Sequence, residues 1–396
     1  MSKGASARIL FAWELGDNHG HLVRHVQIAK TLRMRGHPVM FVARNTTIAH
    51  SALASSGFHF LQAPIYQTKP RENRPTTSYA DILLESGYAD PDELDGLLRS
   101  WTTTLSLFKP DLLIADHAPT ALLAARVLNI QAMLIGTGFE IPPLVDPFPS
   151  LVSWRPVDPI DLAKSSAVAL KNINECLGPR KAQSLSKLSA LFSGKRALVT
   201  SAAELDPYEP RDNVRYIGAI GPSAAGRMEK WSTSAETKVF VYLNNDVGQL
   251  TTLIEALRAM EVEAVCVFPR VDDNKLPSST TRIRFFNRLV HVDGILPQAN
   301  LCISNGGNGL AGKCLEFGVP MLLLPVYLEQ YVTARLVAKL GAGMAARSPL
   351  SVEQYASVVE KAARLSGPGV LAGPNVGESV CKYQAAVDEE LVAIGS

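Results

Sequence analysis

Cysteine, which is common in secreted proteins and in proteins with structural zinc, is scarce in this sequence. It has only five cysteines, Cys176, Cys266, Cys302, Cys314 and Cys381. Their number is odd, they lie far apart, and no two have the Cys-x-x-Cys spacing of a structural zinc site or a redox pair. We therefore expect reduced thiols and no structural metal, which fits a cytoplasmic protein.

Membrane-spanning and export signals are also lacking. No apolar run approaches the roughly 20 residues that cross a bilayer. The segment Met1 to Arg8 is short and polar, without the basic, apolar and cleavage regions of a signal peptide. We expect no transmembrane segment and no export.

Charge of one sign is not concentrated anywhere in the chain. The formal net charge is +2, and the sequence contains no block of like charges. A protein that binds the phosphate backbone needs a basic stripe, so nucleic acid is not an expected partner. The sequence does not indicate an oligomeric state.

Enough apolar material is present for two domains. The chain has 396 residues, of which 47% are hydrophobic and 19% charged. This length exceeds what one hydrophobic core usually supports, so two packed cores are expected.

Apolar runs and helical patterns alternate along both halves of the chain. In the first half, the apolar runs are Arg8 to Trp13, Val39 to Ala43, Leu112 to Ala115 and Ala132 to Ile135. In the second half, they are Val239 to Leu243, Val265 to Phe268, Ile283 to Phe286 and Leu301 to Ser304. Buried runs separated by helices predict an α/β protein with two doubly wound, mostly parallel sheets.

The domain boundary is predicted from a loss of this periodicity after Tyr216. From there to Thr233 the chain gains Gly, Pro and Ser, as a linker does. We predict an amino-terminal domain over residues 1–217, a linker over 218–235 and a carboxy-terminal domain over 236–365. Residues 366–396 form a last segment that is expected to be helical.

A glycine loop follows the predicted strand that ends at Ser304. It contains Gly306, Gly307 and Gly309, and a helix is predicted to run from it to Phe317. Such a loop directs unpaired backbone N–H groups toward an anion, and glycine allows a diphosphate to approach closely. Glycines also make tight strand-to-helix turns for steric reasons alone, so the loop by itself leaves both readings open.

The residues around this loop carry a family resemblance. After the helix come Gly318-Val319-Pro320, a short apolar run, Pro325 and then Glu329-Gln330. The stretch from Val290 to Gly343 resembles the donor-binding signature of the UDP-glycosyltransferase superfamily. The resemblance implies the GT-B architecture, in which two Rossmann-like domains face an interdomain cleft.

The resemblance implies a nucleotide-diphosphate sugar as donor and a small molecule as acceptor, with no other cofactor. Glu329 and Gln330 offer acceptors and donors that suit adjacent sugar hydroxyls, although a solvated helix start is the plain alternative. The residues assigned to the donor are Asn245, Val290, Asn305, Gly306, Gly307, Asn308, Gly309, Lys313, Glu329 and Gln330.

Three positions depart from the family pattern. Asn305 stands where the family usually has a histidine, Leu310 where it has a hydroxyl residue, and Lys313 where it has a glutamate. Asn244-Asn245 likewise replaces a Gly-Ser or similar pair. Ribose recognition by the family's route is therefore not expected. Lys313 either meets a phosphate or points to solvent.

Histidines cluster after the first predicted strand. Asp17, His19, His21 and His25 lie where an open α/β sheet binds its ligands. The resemblance assigns His21 as the base that accepts the acceptor's proton and Asp116 as the carboxylate that orients it. A histidine that merely caps or packs is the alternative. His21 and His25 have the spacing of a helical metal pair, but no third ligand is evident, so no metal is predicted.

The expected reaction is inverting and independent of metal, because the base accepts the proton and the glycine-loop amides stabilise the charge of the leaving group.

Phe139, Trp154 and Tyr79 lie in or near irregular, proline-bearing segments and are assigned to an apolar acceptor. Each of them is as well explained as an ordinary anchor of its loop. Two other functions stay open: a protein of the same fold that binds nucleotide or sugar without transfer, and a nucleotide-sugar epimerase.

Overall fold

The computed structural model divides into two compact units. It describes residues 6–16, 20–67, 75–220, 228–232, 235–244, 247–347, 349–365 and 376–395. Unit 1 comprises Met1–Thr200, Tyr208–Ile217 and Gly377–Ser396, and unit 2 comprises Ser201–Pro207 and Gly218–Val376.

Unit 1 is built on a seven-stranded parallel sheet. Its strands are β1 (Ile9–Trp13), β2 (Val39–Ala43), β3 (His59–Gln62), β4 (Leu112–Asp116), β5 (Gln131–Gly136), β6 (Ala197–Val199) and β7 (Arg215–Tyr216). They are ordered β3-β2-β1-β4-β5-β6-β7. Strands β1, β4 and β5 are almost entirely buried, which explains why they read as continuous apolar runs in the sequence.

Six helices connect these strands. They are α1 (Gly20–Met34), α2 (Thr46–Leu53), α3 (Tyr79–Leu83), α4 (Pro91–Phe108), α5 (Pro119–Leu128) and α6 (Pro159–Leu177). Helix α4 begins where the Asp90 carboxylate accepts from two backbone N–H groups and Pro91 presets the first turn. It ends at Lys109, which adopts the left-handed conformation.

The strand order of unit 1 reverses at β1. Strand β2 pairs with one edge of β1 and β4 pairs with the other, which places Trp13 opposite Asp116. In an open α/β sheet, the crevice beyond the strand ends at such a reversal is the usual ligand site. The loop into α1 and the residues after β4 both begin at this point.

Unit 2 has the same architecture and is built on six parallel strands. They are β8 (Thr237–Tyr242), β9 (Val262–Val267), β10 (Ile283–Phe286), β11 (Leu301–Ser304), β12 (Met321–Leu323) and β13 (Gly343–Ala345), in the order β10-β9-β8-β11-β12-β13. Its helices are α7 (Val247–Ala259), α8 (Asn308–Phe317), α9 (Leu328–Lys339) and α10 (Val352–Ala363). Apolar clusters cover both faces of the sheet. The prediction of two doubly wound, Rossmann-like sheets is confirmed.

The last helix, α11 (Val376–Gly395), returns to unit 1. The Asp388 carboxylate lies 2.6 Å from the Arg35 guanidinium, and Glu390 accepts from Arg196 at 2.8 Å. Residues 366–375 of the predicted terminal segment lie outside the described ranges. In the part of the chain that the structure describes, no helix is long and apolar enough to cross a membrane.

Candidate active site

His21 and Asp116 form the centre of the site in unit 1. His21 lies in the first turn of α1, and Asp116 is the last residue of β4. The Nδ1 atom of His21 lies 2.6 Å from Oδ1 of Asp116, and both side chains are buried. Because Nδ1 donates to the carboxylate, the neutral ring carries its lone pair on Nε2.

The next turn of α1 supplies two more partners for Asp116. The Nε2 atom of His25 lies 2.9 Å from Oδ2 of the carboxylate, and the Arg24 Nε atom lies 3.3 Å from the same oxygen. Residues three and four positions after His21 lie on the same helix face, which explains why all three converge. The Asp116 carboxylate is therefore held by three groups of one helix.

Glu140 is a second buried carboxylate in this cluster. Its Oε2 atom accepts from the Thr137 backbone N–H at 2.6 Å and lies 3.3 Å from Nη1 of Arg24. Its Oε1 atom lies 3.8 Å from Nδ1 of His21. A side chain at Gly136 would bring its Cβ within 2.5 Å of Oε2, so a glycine is needed to seat Glu140.

The surrounding charges set the protonation states of the pair. Burial alone would raise the pKa of Asp116, but Arg24 and His21 hold it well below its ordinary value. Burial alone would lower the pKa of His21, but the charges of Asp116 and Glu140 outweigh it and raise the pKa. Asp116 is thus ionised, and His21 is a stronger base than an isolated imidazole.

The Nε2 atom of His21 has no hydrogen-bond partner among the described residues. The ring stacks on Trp13, with centroids 5.1 Å apart and an angle of 17° between planes. Gly16, at φ +82°, lies beside Nε2, and an added Cβ would come within 2.5 Å of that nitrogen. The arrangement leaves Nε2 available to accept a proton. Asp17 and His19 lie outside the described residues.

Aromatic side chains extend the site beyond His21. The His117 ring lies 6.3 Å from the His21 ring, and Phe139 meets His117 edge-on at 6.4 Å. Tyr79 also contacts His117, but it is fully buried against Phe148 and Phe192. Tyr79 is therefore part of the hydrophobic core as well as a neighbour of the site.

Two other assignments bear on the acceptor and on metal binding. Trp154 is half-buried in a turn outside the regular elements.

The side chains of His21, Asp116 and Glu140 offer ligand atoms within 4.8 Å of one another. Arg24 already supplies a cation to both carboxylates, however, so these residues are arranged as an ion-paired cluster and do not fit a metal ion.

The glycine loop of unit 2 has the geometry of an anion site. Gly306 adopts φ +89°, and an added Cβ would lie 3.2 Å from the Gln330 carbonyl oxygen. Gly307 precedes α8, whose first turn receives no side-chain cap within the described chain. Asn308 is buried, and its Oδ1 atom is unpartnered in the described ranges. The first N–H groups of α8 and the Asn308 amide thus lie close together. The space beside Gly309 is open, because a Cβ added there would have no neighbour within 4 Å.

Two of the positions that depart from the family pattern serve internal contacts. Asn305 is buried, accepts from the Asn244 backbone N–H at 2.9 Å and donates to the Leu324 carbonyl at 3.0 Å. Its amide joins the ends of β8, β11 and β12. These contacts give Asn305 a role in holding the loop.

Lys313 does not point to solvent, which was one of the two alternatives left open by the sequence. Its ammonium is buried, 2.9 Å from the Glu316 carboxylate and 3.2 Å from the Asp293 carboxylate. It also lies over the Phe317 ring. This corrects the expectation of a solvent-exposed charge, because the ammonium is buried and two neighbouring carboxylates neutralise it.

The remaining donor assignments have different surroundings. The Gln330 Oε1 atom accepts from the backbone of Val326 at 2.8 Å and Tyr327 at 3.3 Å, so this side chain caps α9. Glu329 lies half-buried in the same first turn. Val290 belongs to the apolar core of unit 2, and Asn245 lies outside the described residues.

Three members of the unit 1 cluster are not among the residues predicted from the sequence. Arg24 was signalled by its spacing of three residues from His21, and Glu140 by its position four residues after Gly136. No sequence pattern indicated Tyr383. Its hydroxyl lies 2.8 Å from His25, but the two residues are 358 positions apart in the sequence. The pairing of His21 with Asp116 lies where the resemblance placed it.

Known proteins resemble this chain in sequence and in fold. No protein-family model matches it. It is 33% identical over 150 residues to a UDP-glucosyltransferase from Aspergillus versicolor, an alignment that covers 34% of this chain and 32% of the relative. It is 24% identical over 358 residues to a PGL/p-HBAD biosynthesis rhamnosyltransferase from Mycobacterium bovis, covering 81% and 79% of the two chains. The first relative is thus matched over only about a third of its own length.

Solved glycosyltransferase structures have the same fold. The glycotransferase of kitacinnamycin superposes with a TM-score of 0.64 at 20% identity, covering 99% of this chain and 96% of that one. The calicheamicin glycosyltransferase CalG4 gives a TM-score of 0.62 at 18% identity, with 99% and 95% covered. These relatives and neighbours are glycosyltransferases. The structural neighbours confirm the predicted GT-B fold class, and the sequence relatives are of the kind that the resemblance implied.

Proposed function

We propose that this protein is an inverting glycosyltransferase that moves a sugar from a nucleotide diphosphate to a hydroxyl of a small acceptor. The observation that carries the proposal is the buried pair of His21 and Asp116, whose Nδ1 to Oδ1 distance is 2.6 Å. That bond leaves Nε2 of His21 without a partner among the described residues. A histidine held by an ionised carboxylate through one nitrogen presents a base at the other.

In the proposed reaction, neutral His21 accepts the proton of the acceptor hydroxyl through Nε2 as its oxygen attacks the anomeric carbon. The imidazolium that forms is stabilised by the ionised Asp116 and, less directly, by Glu140. The sugar's bond to the diphosphate breaks on the opposite face, so the configuration inverts. No metal ion is needed for these steps, and no cofactor beyond the donor is proposed.

The donor diphosphate is assigned to the start of α8 in unit 2. The first N–H groups of α8, after Gly307, have no side-chain cap in the described residues, and such groups favour a negative charge. They would also stabilise the departing nucleoside diphosphate. Glu329 is assigned to the sugar hydroxyls, since Gln330 is engaged in capping α9.

The relatives suggest candidates for the nucleotide and for the acceptor. One structural neighbour, a spinosyn rhamnosyltransferase, has been solved with thymidine diphosphate and also with spinosyn aglycone. A further relative is named as a sterol 3-beta-glucosyltransferase. We therefore include thymidine diphosphate with the uridine and guanosine diphosphates, and we propose an apolar, hydroxyl-bearing acceptor beside Phe139.

Calorimetry and mass spectrometry test the proposal together. The protein is titrated with UDP, dTDP and GDP, and mixtures with the matching sugar donors and apolar alcohols are then analysed for glycosylated products. We expect binding of at least one nucleotide and a mass increase of one sugar on the acceptor. The His21→Ala variant should lose turnover while its nucleotide affinity stays within about twofold, since the base lies in unit 1.

A non-catalytic nucleotide-binding protein is the second candidate, favoured by the internal contacts of Asn305 and Lys313. It predicts nucleotide binding with no transfer in any mixture. A nucleotide-sugar epimerase would instead convert the donor without an acceptor. If no nucleotide bound, the transferase and the epimerase would be excluded, and only a protein that binds sugar without transfer would be left.

A further inference from the structure

The last helix of the chain reaches the centre of the site through one hydroxyl. Tyr383 lies in α11 and is fully buried. Its hydroxyl lies 2.8 Å from Nδ1 of His25, and Nε2 of His25 lies 2.9 Å from Oδ2 of Asp116. A continuous hydrogen-bond chain thus runs from Tyr383 through His25 and Asp116 to His21.

The direction of each hydrogen bond in this chain is fixed by protonation. Burial lowers the pKa of His25, so its ring is neutral near pH 7. An ionised carboxylate only accepts, so Nε2 of His25 carries the proton and Nδ1 is an acceptor. Burial holds the pKa of Tyr383 well above its ordinary value, so its hydroxyl keeps the proton that it donates to Nδ1.

We propose that Tyr383 and His25 are positioning residues that fix the Asp116 carboxylate so that its Oδ1 atom is reserved for His21. The Tyr383 hydroxyl selects the tautomer of His25 that donates to Oδ2. With Oδ2 occupied by His25 and Arg24, the carboxylate meets His21 through its other oxygen only. This inference rests on the proposed function, because the role of His21 as base belongs to that proposal.

Loss of the Tyr383 hydroxyl has a defined consequence. A hydroxyl that donates to Nδ1 stabilises neutral His25, so its removal makes protonation of His25 easier. A charged His25 beside Asp116 would offset the carboxylate's charge and weaken its hold on the His21 imidazolium. The effect acts on the catalytic step and not on binding of the nucleotide.

Tyr383→Phe tests this, because it removes one oxygen and keeps the buried ring. We expect kcat to fall about three- to tenfold, the effect of losing one hydrogen bond. The KM for the donor should stay within twofold, because the effect acts on the catalytic step. Tyr88→Phe is the matched control, since it removes an equally buried hydroxyl of unit 1 that pairs with Thr120 at 3.0 Å.

Variants of His25 test the middle of the chain. Glutamine at this position can donate to Asp116 and accept from Tyr383 without titrating, so His25→Gln should keep at least a third of kcat. His25→Leu should lose as much as Tyr383→Phe or more, and adding Tyr383→Phe to it should cost nothing further. Strictly additive losses would show that the two residues act separately and would overturn the chain.

Nitrogen NMR of protein labelled with 15N-histidine supplies a readout that does not need activity. The shifts of His25, assigned from His25→Gln, should show a neutral ring protonated on Nε2 at pH 7, and a higher pKa in Tyr383→Phe. If His25 carried its proton on Nδ1, or if Tyr383→Phe changed neither the pKa nor kcat, the inference would be wrong. If the wild type transferred no sugar, the proposed function would fail, whereas the nitrogen shifts would still decide the hydrogen-bond chain.

Discussion

Gly16 lies directly against the unpartnered nitrogen of His21. A Cβ added at Gly16 would stand 2.5 Å from Nε2 of the imidazole, well inside van der Waals contact. The backbone there has φ +82°, a conformation that residues with a side chain rarely adopt. The glycine thus keeps the space beside Nε2 free of a side chain, as well as allowing the turn between β1 and α1.

Replacing Gly16 with alanine should therefore abolish most of the activity. We expect kcat/KM to fall at least about 100-fold, since the methyl group covers or displaces the base that accepts the proton. The free energy of unfolding should fall by about 1–2 kcal/mol from the left-handed backbone alone. Steady-state kinetics and denaturant unfolding measure the two effects.

Gly36→Ala is the matched control for this substitution. Gly36 has φ +91°, and an added Cβ there would meet nothing within 4 Å. It should show a similar loss of stability with kcat/KM nearly unchanged. Equal losses of activity in the two variants would mean that strain, and not access to His21, explains the effect.

The pH dependence of activity should depend on Glu140. A base must be neutral to act, so kcat/KM should rise as the pH passes through the pKa of His21, which lies above its ordinary value of 6.5. Glu140→Gln removes one of the negative charges that raise this pKa and leaves Arg24 opposing it. The acid limb of kcat/KM should therefore move to lower pH.

Profiles measured from pH 5 to 9 decide this prediction. Glu175→Gln is the control, because Glu175 lies on the exposed side of α6 and pairs only with Lys171 at 3.6 Å in the described structure. An acid limb that stayed in place, or moved to higher pH, in Glu140→Gln would show that Glu140 does not act on His21 through its charge.

Glu14 should make the stability of the fold depend on pH. Burial raises the pKa of this carboxyl to about 7, although the Thr120 N–H donates to it at 2.8 Å. The unfolded carboxyl titrates near 4.5. Because the folded pKa is the higher one, the native state gains protons between these values, and its stability falls as the pH rises from about 4.5 to 7.

Glu14→Gln should remove this dependence, since an amide oxygen can still accept from Thr120 and does not ionise. A shift of this size corresponds to about 3 kcal/mol, so the variant should be more stable than the wild type at pH 8 by up to that amount. Urea unfolding at pH 5 and pH 8 measures it. The idea is wrong if the variant is no more stable at pH 8 than at pH 5, relative to the wild type.

The fold was predictable from the sequence because a buried parallel strand appears as a short, continuous apolar run. Strand β1 is apolar throughout and β4 is apolar up to its last residue, and a helix pattern follows each one. The pairing of His21 with Asp116 was available through the family resemblance. The link from Tyr383 to His25 was not, because it depends on where α11 docks, and no local pattern reports that.

Lys313 shows a second limit of sequence reasoning. Its position one turn into α8 suggested a phosphate or solvent as its neighbour. Which partner a long side chain finds depends on the surrounding packing, and here Glu316, one turn along the same helix, and Asp293 take the ammonium. A residue type that differs from a family pattern at a ligand site is therefore not necessarily part of that site.

This assignment makes a prediction that separates a structural lysine from a phosphate-binding one. Lys313→Met keeps the length of the side chain and removes its charge, which leaves Asp293 and Glu316 beside each other without a cation. Both carboxylates are partly exposed, so we expect a loss of about 1–2 kcal/mol in the free energy of unfolding, less than for a fully buried pair. The Kd for the nucleotide should stay within twofold, because the ammonium is committed to protein carboxylates. Calorimetry at low and high salt measures the Kd: a tenfold weakening at low salt that disappears at high salt would instead make Lys313 a phosphate ligand.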